Sequence, residues 1–61
     1  MAYLVEISND ADFGRVVRRI ICVDKHRAEA VGCEVSERLT LARTDRYDSF
    51  SYRVYEVETD K

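Results

Sequence analysis

Apolar residues recur at helical spacing in only one segment of the chain, residues 24–42. Intervals of three and four residues place them on one stripe of a helix, while charged residues occupy the other faces. The stripe consists of Ala28, Val31, Val35, Leu39 and Ala42. Asp24 is typical of an N-cap. The pattern predicts one amphipathic helix, and Gly32 at the edge of the stripe indicates close approach to the element beneath it.

Three further segments have the alternation or the β-branched composition of strands. Residues 2–8 alternate, with Tyr3, Val5 and Ile7 on the face that we expect to be buried. Residues 15–23 are rich in Val and Ile on both faces, and Arg18 marks one face while Arg19 marks the other. Residues 49–59 form the third predicted strand, and residues 59–61 are expected to fray.

The third strand carries most of the aromatic residues, and its apolar side changes partway along. Phe50, Tyr52 and Val54 share one face, whereas Tyr55 and Val57 share the other. A β-bulge between Val54 and Tyr55 would bring all of them under the helix. Without that bulge the strand is apolar on both sides.

The order strand, strand, helix, strand predicts a single α+β domain over residues 1–61, with one helix packed on one face of a three-stranded sheet. The polar connection at residues 9–14, in which Gly14 can take a positive φ, makes the first two strands an antiparallel hairpin. The third strand can lie beside the first, giving the antiparallel order 2-1-3, or beside the second and parallel to it. We favour the order 2-1-3, because it leaves the arginine-marked strand at an edge.

Length and charge narrow the class of protein. The chain has 61 residues and a net charge of −2, with 46% hydrophobic and 36% charged residues. A domain of this size buries about 60% of its unfolded surface, so dimerisation is one route to stability. A strand-like run follows Met1 directly and no apolar run has transmembrane length, so we expect a cytoplasmic protein without a signal peptide or membrane contact.

Residues that could carry chemistry are few and isolated. His26 is the only histidine and has no orienting carboxylate at a suggestive spacing. Asp10 and Asp12 lack the later ligands of a calcium loop. Cys22 and Cys33 have no metal-ligand spacing, and we interpret them as reduced thiols, although a redox role stays open. We therefore expect no catalytic residues, no metal and no cofactor.

The apolar residues exceed what one helix can cover, which predicts an interaction surface on the outer sheet face. Tyrosine and arginine are enriched at the energetic centres of protein interfaces. The candidate partner-binding residues are Leu4, Arg18, Arg19, Phe50, Tyr52, Arg53 and Tyr55. The simplest partner is a second copy of the chain, packed face to face or edge to edge, and another protein is the further possibility.

Single-stranded nucleic acid is the alternative partner. Phe50, Tyr52 and Tyr55 are residue types that stack on bases, and nearby arginines can neutralise phosphates. Glu56 and Glu58 on the same strand, together with the acidic net charge, make this alternative less favourable.

The whole pattern also resembles a family of small proteins. It combines a leading Tyr-Leu-Val-Glu strand, a β-branched second strand, a helix that opens Asp-Lys-His-Arg-Ala-Glu-Ala, and a closing Phe-Ser-Tyr-Arg-Val-Tyr-Glu-Val strand. In these features the chain is similar to small ββαβ proteins of bacteriophage and prophage genomes. The resemblance implies an inhibitor or modulator that binds a host protein, including a component of a defence system.

Overall fold

The computed structural model of the chain describes residues 2–58 and contains three strands and one helix. Strand β1 spans Ala2–Asn9, β2 spans Arg15–Cys22, helix α1 spans Lys25–Ala42 and β3 spans Phe50–Val57. A short 3₁₀ turn, Asp10–Asp12, lies between β1 and β2. The predicted elements are all present with slightly different ends, and the prediction for residues 59–61 falls outside the described residues.

The sheet is antiparallel throughout, with the order β2-β1-β3. This confirms the predicted α+β fold and the preferred strand order, with β1 in the centre. Opposite residues of an antiparallel pair point to the same side of a sheet, so the register defines two faces. We call the side that packs against α1 the helix face and the other side the open face. Tyr3, Val5 and Ile7 of β1 lie on the helix face, and Leu4, Glu6 and Ser8 lie on the open face.

The core lies between α1 and the helix face. Val5 and Ile7 are completely buried there, together with Cys22 and Ala28. Partly buried side chains surround them: Tyr3, Ile20, Val31, Val35, Leu39, Phe50 and Val54. The predicted buried face of β1 is therefore confirmed.

The helix meets the sheet along a line of small residues, Ala28, Gly32 and Ser36, which are its buried positions. A Cβ atom on Gly32 would lie 2.5 Å from the Tyr52 ring, so the predicted close approach is confirmed and its neighbour is β3. The Ser36 hydroxyl donates to the Cys33 carbonyl oxygen at 3.0 Å, which allows this polar residue to be buried. The predicted stripe was wrong at its end, since Ala42 is exposed and the contact line runs through Gly32 and Ser36.

The helix begins where the sequence places its start. Asp24 has extended backbone angles at the N-cap position, and its carbonyl oxygen accepts from the Ala28 N–H at 2.9 Å. The Asp24 side chain makes no capping hydrogen bond. The predicted position is confirmed, but the predicted side-chain contribution is absent.

The sheet contains a β-bulge, but it lies in the β1–β2 pairing and not between Val54 and Tyr55. The β1–β3 register is unbroken through Val54 and Tyr55, so these residues stay on opposite faces. The irregularity lies instead between β1 and β2, where Ile7 pairs with Arg18 and Ser8 pairs with Val16. Val17 is the extra residue, and it moves Val16 to the open face, away from Ile20 and Cys22. Of the two alternatives for β3, the two-sided strand without a bulge is therefore confirmed.

Asn9 fastens the two loops at one end of the sheet to each other. Its side-chain oxygen accepts from the Ala11 N–H at 3.1 Å and from the Ser49 N–H at 3.3 Å, and its amide donates to Asp48 at 3.0 Å. Gly14 has φ of +74°, as predicted, and its N–H donates to the Asn9 carbonyl oxygen. One asparagine thus connects the hairpin loop to the segment that precedes β3.

We expect Asn9→Ala to lower the free energy of unfolding by about 1 kcal/mol, because three hydrogen bonds across two loops are lost and each contributes modestly in an exposed setting. Ser51→Ala is the control: it removes a single exposed hydrogen bond, to Asp10 at 3.2 Å. Urea unfolding followed by circular dichroism measures both. Equal losses in the two variants would contradict the role given to Asn9.

Candidate protein-interaction surface

The open face carries an apolar row across all three strands. Ile21 of β2 pairs with Leu4 of β1, and Leu4 pairs with Tyr55 of β3, so the three side chains lie side by side. Ile21 is 63% exposed and Tyr55 is 41% exposed, although both are large and apolar. A contiguous exposed apolar row is typical of a surface that binds a macromolecule.

A charged row lies next to the apolar row. Arg19 pairs with Glu6, and Glu6 pairs with Arg53, so one carboxylate lies between two guanidinium groups. Arg19 Nε donates to Glu6 Oε2 at 3.1 Å. An exposed ion pair of this kind adds little to stability. Two guanidinium groups, one on each edge strand, and one carboxylate on the central strand give this row a net charge of +1.

The surroundings of Arg53 on this surface raise its pKa. The Tyr55 hydroxyl, as a hydrogen-bond acceptor, is the largest cause that raises the pKa of Arg53, and the negative charges of Asp10 and Glu6 raise it further. The guanidinium is exposed and stays protonated at every physiological pH. Arg53 and Tyr55 therefore form a neighbouring donor and aromatic pair at the edge of the open face.

The structure separates the predicted binding residues into two groups. Leu4, Arg19, Arg53 and Tyr55 lie together on the open face. The other three lie on the helix face: Phe50 packs against the core, Tyr52 lies against Gly32, and Arg18 pairs with Ile7. A stacking platform for nucleic acid would need the three aromatic residues on one face, and only Tyr55 lies on the open face.

Ile21 and Val16 belong to the open face and were missed as candidates. Apolar residues on both sides of β2 did not show which ones the helix covers. The register of β2 against β1 assigns Ile21 to the row of Leu4, and the bulge at Val17 assigns Val16 to the same face. The signal in the sequence was the surplus of β-branched residues in β2. This surplus does not show which face of the sheet each residue occupies until the strand pairing is known.

Two concave regions flank these surfaces. A depression of about 120 Å³ surrounds Arg53 and Tyr55 and includes Glu6 and Asp10. This volume is below the roughly 300–1,000 Å³ of typical ligand pockets. A wider groove of about 420 Å³ lies between the C-terminal half of α1 and Phe50, and Glu37 is the only ionisable residue in its lining.

The residues with potential chemistry lie apart from one another. His26 is exposed at the start of α1. Cys22 is buried and Cys33 is exposed, and both thiols are free. Among residues 2–58 there is no group of three or more His, Cys, Asp or Glu side chains arranged to hold a metal ion.

Within the described part of the chain, no helix combines the length and the apolar character needed to cross a membrane. Comparisons with protein-family models, with curated proteins and with solved structures found no match to this chain.

Proposed function

We propose that this chain is a cytoplasmic, non-enzymatic protein-interaction module that binds its partner with the open face and works as a homodimer. The observation that carries the proposal is the apolar row Ile21–Leu4–Tyr55, exposed at Ile21 and Tyr55 and half-buried at Leu4, on the face of the sheet that α1 does not cover. Burying such a row against another protein is favourable, because its apolar surface leaves water.

The residues beside the row indicate what the partner surface contains. Arg19 already holds Glu6, whereas the Arg53 guanidinium is exposed beside Tyr55. A partner that presents an apolar patch with a neighbouring carboxylate can cover the row and accept hydrogen bonds from Arg53. Tyrosine and arginine are also the residue types that most often dominate binding energy.

The resemblance to small phage proteins suggests the class of partner. The resemblance implies that the partner is a host protein, which the module inhibits or modulates. The apolar row supports binding to a protein surface in general, and the proposal that this protein is a host protein rests on the resemblance alone.

Comparative capture from a bacterial lysate tests the open face. The tagged wild-type chain is compared with Tyr55→Ala and Arg53→Glu, and the proteins retained by each are quantified. Tyr47→Ala and Arg27→Glu are matched controls, because Tyr47 lies in the exposed loop before β3 and Arg27 is exposed on α1. We expect both open-face variants to lose a protein that the controls retain, by roughly 30-fold in affinity for a residue at the centre of an interface.

Two results would contradict the proposal. One is a set of retained proteins that does not differ between the wild-type chain and the two open-face variants. The other is equal loss in the open-face and control variants while circular dichroism shows that all of them are folded, because capture would then not depend on the open face.

A further inference from the structure

Strand β3 is an edge of the sheet that the fold leaves available for pairing. All eight of its residues pair with β1 in unbroken register, and in residues 2–58 no strand lies on its outer side. Natural edge strands are usually protected by charged side chains, above all lysine, or by proline, a bulge or a short length. β3 reads Phe-Ser-Tyr-Arg-Val-Tyr-Glu-Val, with no lysine, no proline, no bulge in its pairing and eight residues. Its two charged residues, Arg53 and Glu56, have opposite signs.

The other edge of the sheet is protected. Strand β2 contains the bulge at Val17, which interrupts the regular spacing of its outer N–H and C=O groups. It also carries Arg15, Arg18 and Arg19, so a second copy of β2 would bring like charges together. Of the two edges, β3 is therefore the one suited to pair with another strand.

We propose that β3 pairs antiparallel with β3 of a second copy, around a twofold axis that passes between the two Val54 residues. This inference rests on the homodimer in the proposed function and identifies its interface. The axis is perpendicular to the sheet, so both helices lie on the same side and the two open faces become continuous. The product is a six-stranded antiparallel sheet in which backbone groups of both β3 strands find partners.

Side-chain complementarity selects this register. With Val54 on the axis, Arg53 lies opposite Tyr55 of the second copy on the open face, and Tyr52 lies opposite Glu56 on the helix face. Each Arg53 thus gains an aromatic ring and a hydroxyl from the second copy. Cross-strand pairs of this kind stabilise a sheet, and none of them opposes like charges.

The neighbouring registers are less complementary. A twofold axis perpendicular to the sheet always places residues of the same face opposite each other. The alternative registers are therefore those in which the axis moves along β3 by one whole residue at a time. An axis at Arg53 places the two guanidinium groups opposite each other. An axis at Tyr55 places Glu56 opposite the half-buried Val54, and Arg53 opposite Val57. The register with the axis at Arg53 therefore brings like charges together, and the register with the axis at Tyr55 places charged side chains opposite apolar ones.

Surface area gives the dimer a role in partner binding. Three strands about 4.8 Å apart, with eight residues that rise about 3.3 Å each, present a face of roughly 380 Å². A standard interface needs about 800 Å² on each partner. Pairing through β3 doubles the open face to about 760 Å² and moves Tyr55 and Arg53 from its rim to its centre. Residues that dominate binding energy cluster near the centre of an interface.

Site-specific disulfide formation tests the register. Arg53→Cys and Tyr55→Cys are prepared as two separate proteins, both with Cys33→Ser because Cys33 is exposed. One of them carries a size tag, and they are mixed under reducing conditions and then mildly oxidised. Opposite residues of antiparallel strands have Cα atoms about 4.5–5.5 Å apart, within the range for a disulfide. We expect a covalent dimer that contains one chain of each kind.

Each protein alone serves as a register control. Arg53→Cys alone crosslinks only with the axis at residue 53, and Tyr55→Cys alone only with the axis at residue 55, so we expect little product from either. Arg19→Cys mixed with Tyr55→Cys is the matched edge control. Arg19 lies on the same face but on β2, which the proposed pairing places three strand spacings, or about 14 Å, from the second copy's β3.

The molar mass of the Cys33→Ser parent by light scattering separates the possible failures. A mass of 7.1 kDa at every concentration would overturn both the inference and the homodimer in the proposed function. A dimeric mass without the crosslink between residues 53 and 55 would overturn the β3 pairing and leave the homodimer intact. A crosslink from Arg19→Cys instead would indicate packing of face on face. Lysate capture by Leu4→Ala is read independently of all three results, because Leu4 lies on the central strand and the β3 pairing does not touch it.

Discussion

Ile7→Ala is expected to remove most of the stability of the fold, whereas Leu4→Ala should leave the fold intact. Ile7 has no exposed surface, and it lies on the helix face of the central strand. Truncation of a buried isoleucine to alanine costs about 2–5 kcal/mol, because apolar contacts are lost and a cavity remains. A domain of this length has a free energy of unfolding of only about 3–9 kcal/mol.

Leu4 is the matched comparison, because it lies in the same strand on the opposite face. It is half-buried on the open face, so we expect its truncation to cost about 1 kcal/mol. Urea unfolding of both variants at one protein concentration measures the difference, since dimerisation makes apparent stability depend on concentration. Equal losses would show that the open face is covered as completely as the helix face, and would remove the basis for the proposed binding surface.

The same comparison separates stability from binding. The β3 pairing covers an edge of the sheet, so it leaves Leu4 exposed to a partner. We therefore expect Leu4→Ala to retain the fold and the dimer while it weakens capture of the partner. The helix face and the open face of one short strand would then have different roles, the first in stability and the second in recognition.

The buried face of β1, the hairpin and the strand order were predictable, because one physical principle dominated each of them. Strict alternation in β1 identified Val5 and Ile7 as core residues, because only one of its faces is continuously apolar. The short connection at residues 9–14 left an antiparallel hairpin as the only pairing of the first two strands. The three arginines of β2 then favoured an edge position for that strand, and the order β2-β1-β3 followed.

The composition of the candidate surface was harder to predict, because it depends on register. Both faces of β2 are apolar, so the sequence could not assign Ile21 or Val16 to a side. The bulge at Val17 has no distinctive residue that would locate it. In β3, the number of aromatic residues suggested one binding face, but Phe50 and Tyr52 contribute to the helix side and only Tyr55 lies on the open face. The alternation along β3 assigned Phe50 and Tyr52 to one face and Tyr55 to the other, as the structure has them. The structure does not support the further assumption that all three belong to one binding surface.

The contact line of α1 was misjudged for a different reason. The helical spacing of apolar residues predicted Ala28, which is buried, together with the larger Val31, Val35 and Leu39, which are only partly buried. From Ala28 the buried line runs through Gly32 and Ser36, which are not large apolar residues. Small side chains bring the helix backbone close to the sheet, and the larger residues then pack at the sides of the contact.

Gly32→Ala tests this close approach, and we expect it to destabilise the protein. Glycine to alanine in the middle of a helix ordinarily gains about 1 kcal/mol. Here the added Cβ atom would lie 2.5 Å from Cδ2 and 2.8 Å from Cγ of Tyr52, closer than nonbonded carbon atoms can approach. Cγ is the first atom of the ring, so relief requires movement of the whole side chain or separation of α1 from β3. We expect a net loss of about 2 kcal/mol, within the usual range for overpacking.

A double-mutant cycle with Tyr52→Ala isolates the cause. Without the Tyr52 ring, Gly32→Ala should recover the ordinary helix gain of about 1 kcal/mol, so the effect of one substitution changes sign between two backgrounds. The expected coupling is about 3 kcal/mol, at the upper end for residues in direct contact. Thermal unfolding of the four proteins provides the measurement, because each kcal/mol shifts the midpoint by about 4–8 °C in a domain of this size. Stabilisation by Gly32→Ala in the wild-type background would show that the ring moves aside freely, and that α1 is not held against β3 through this contact.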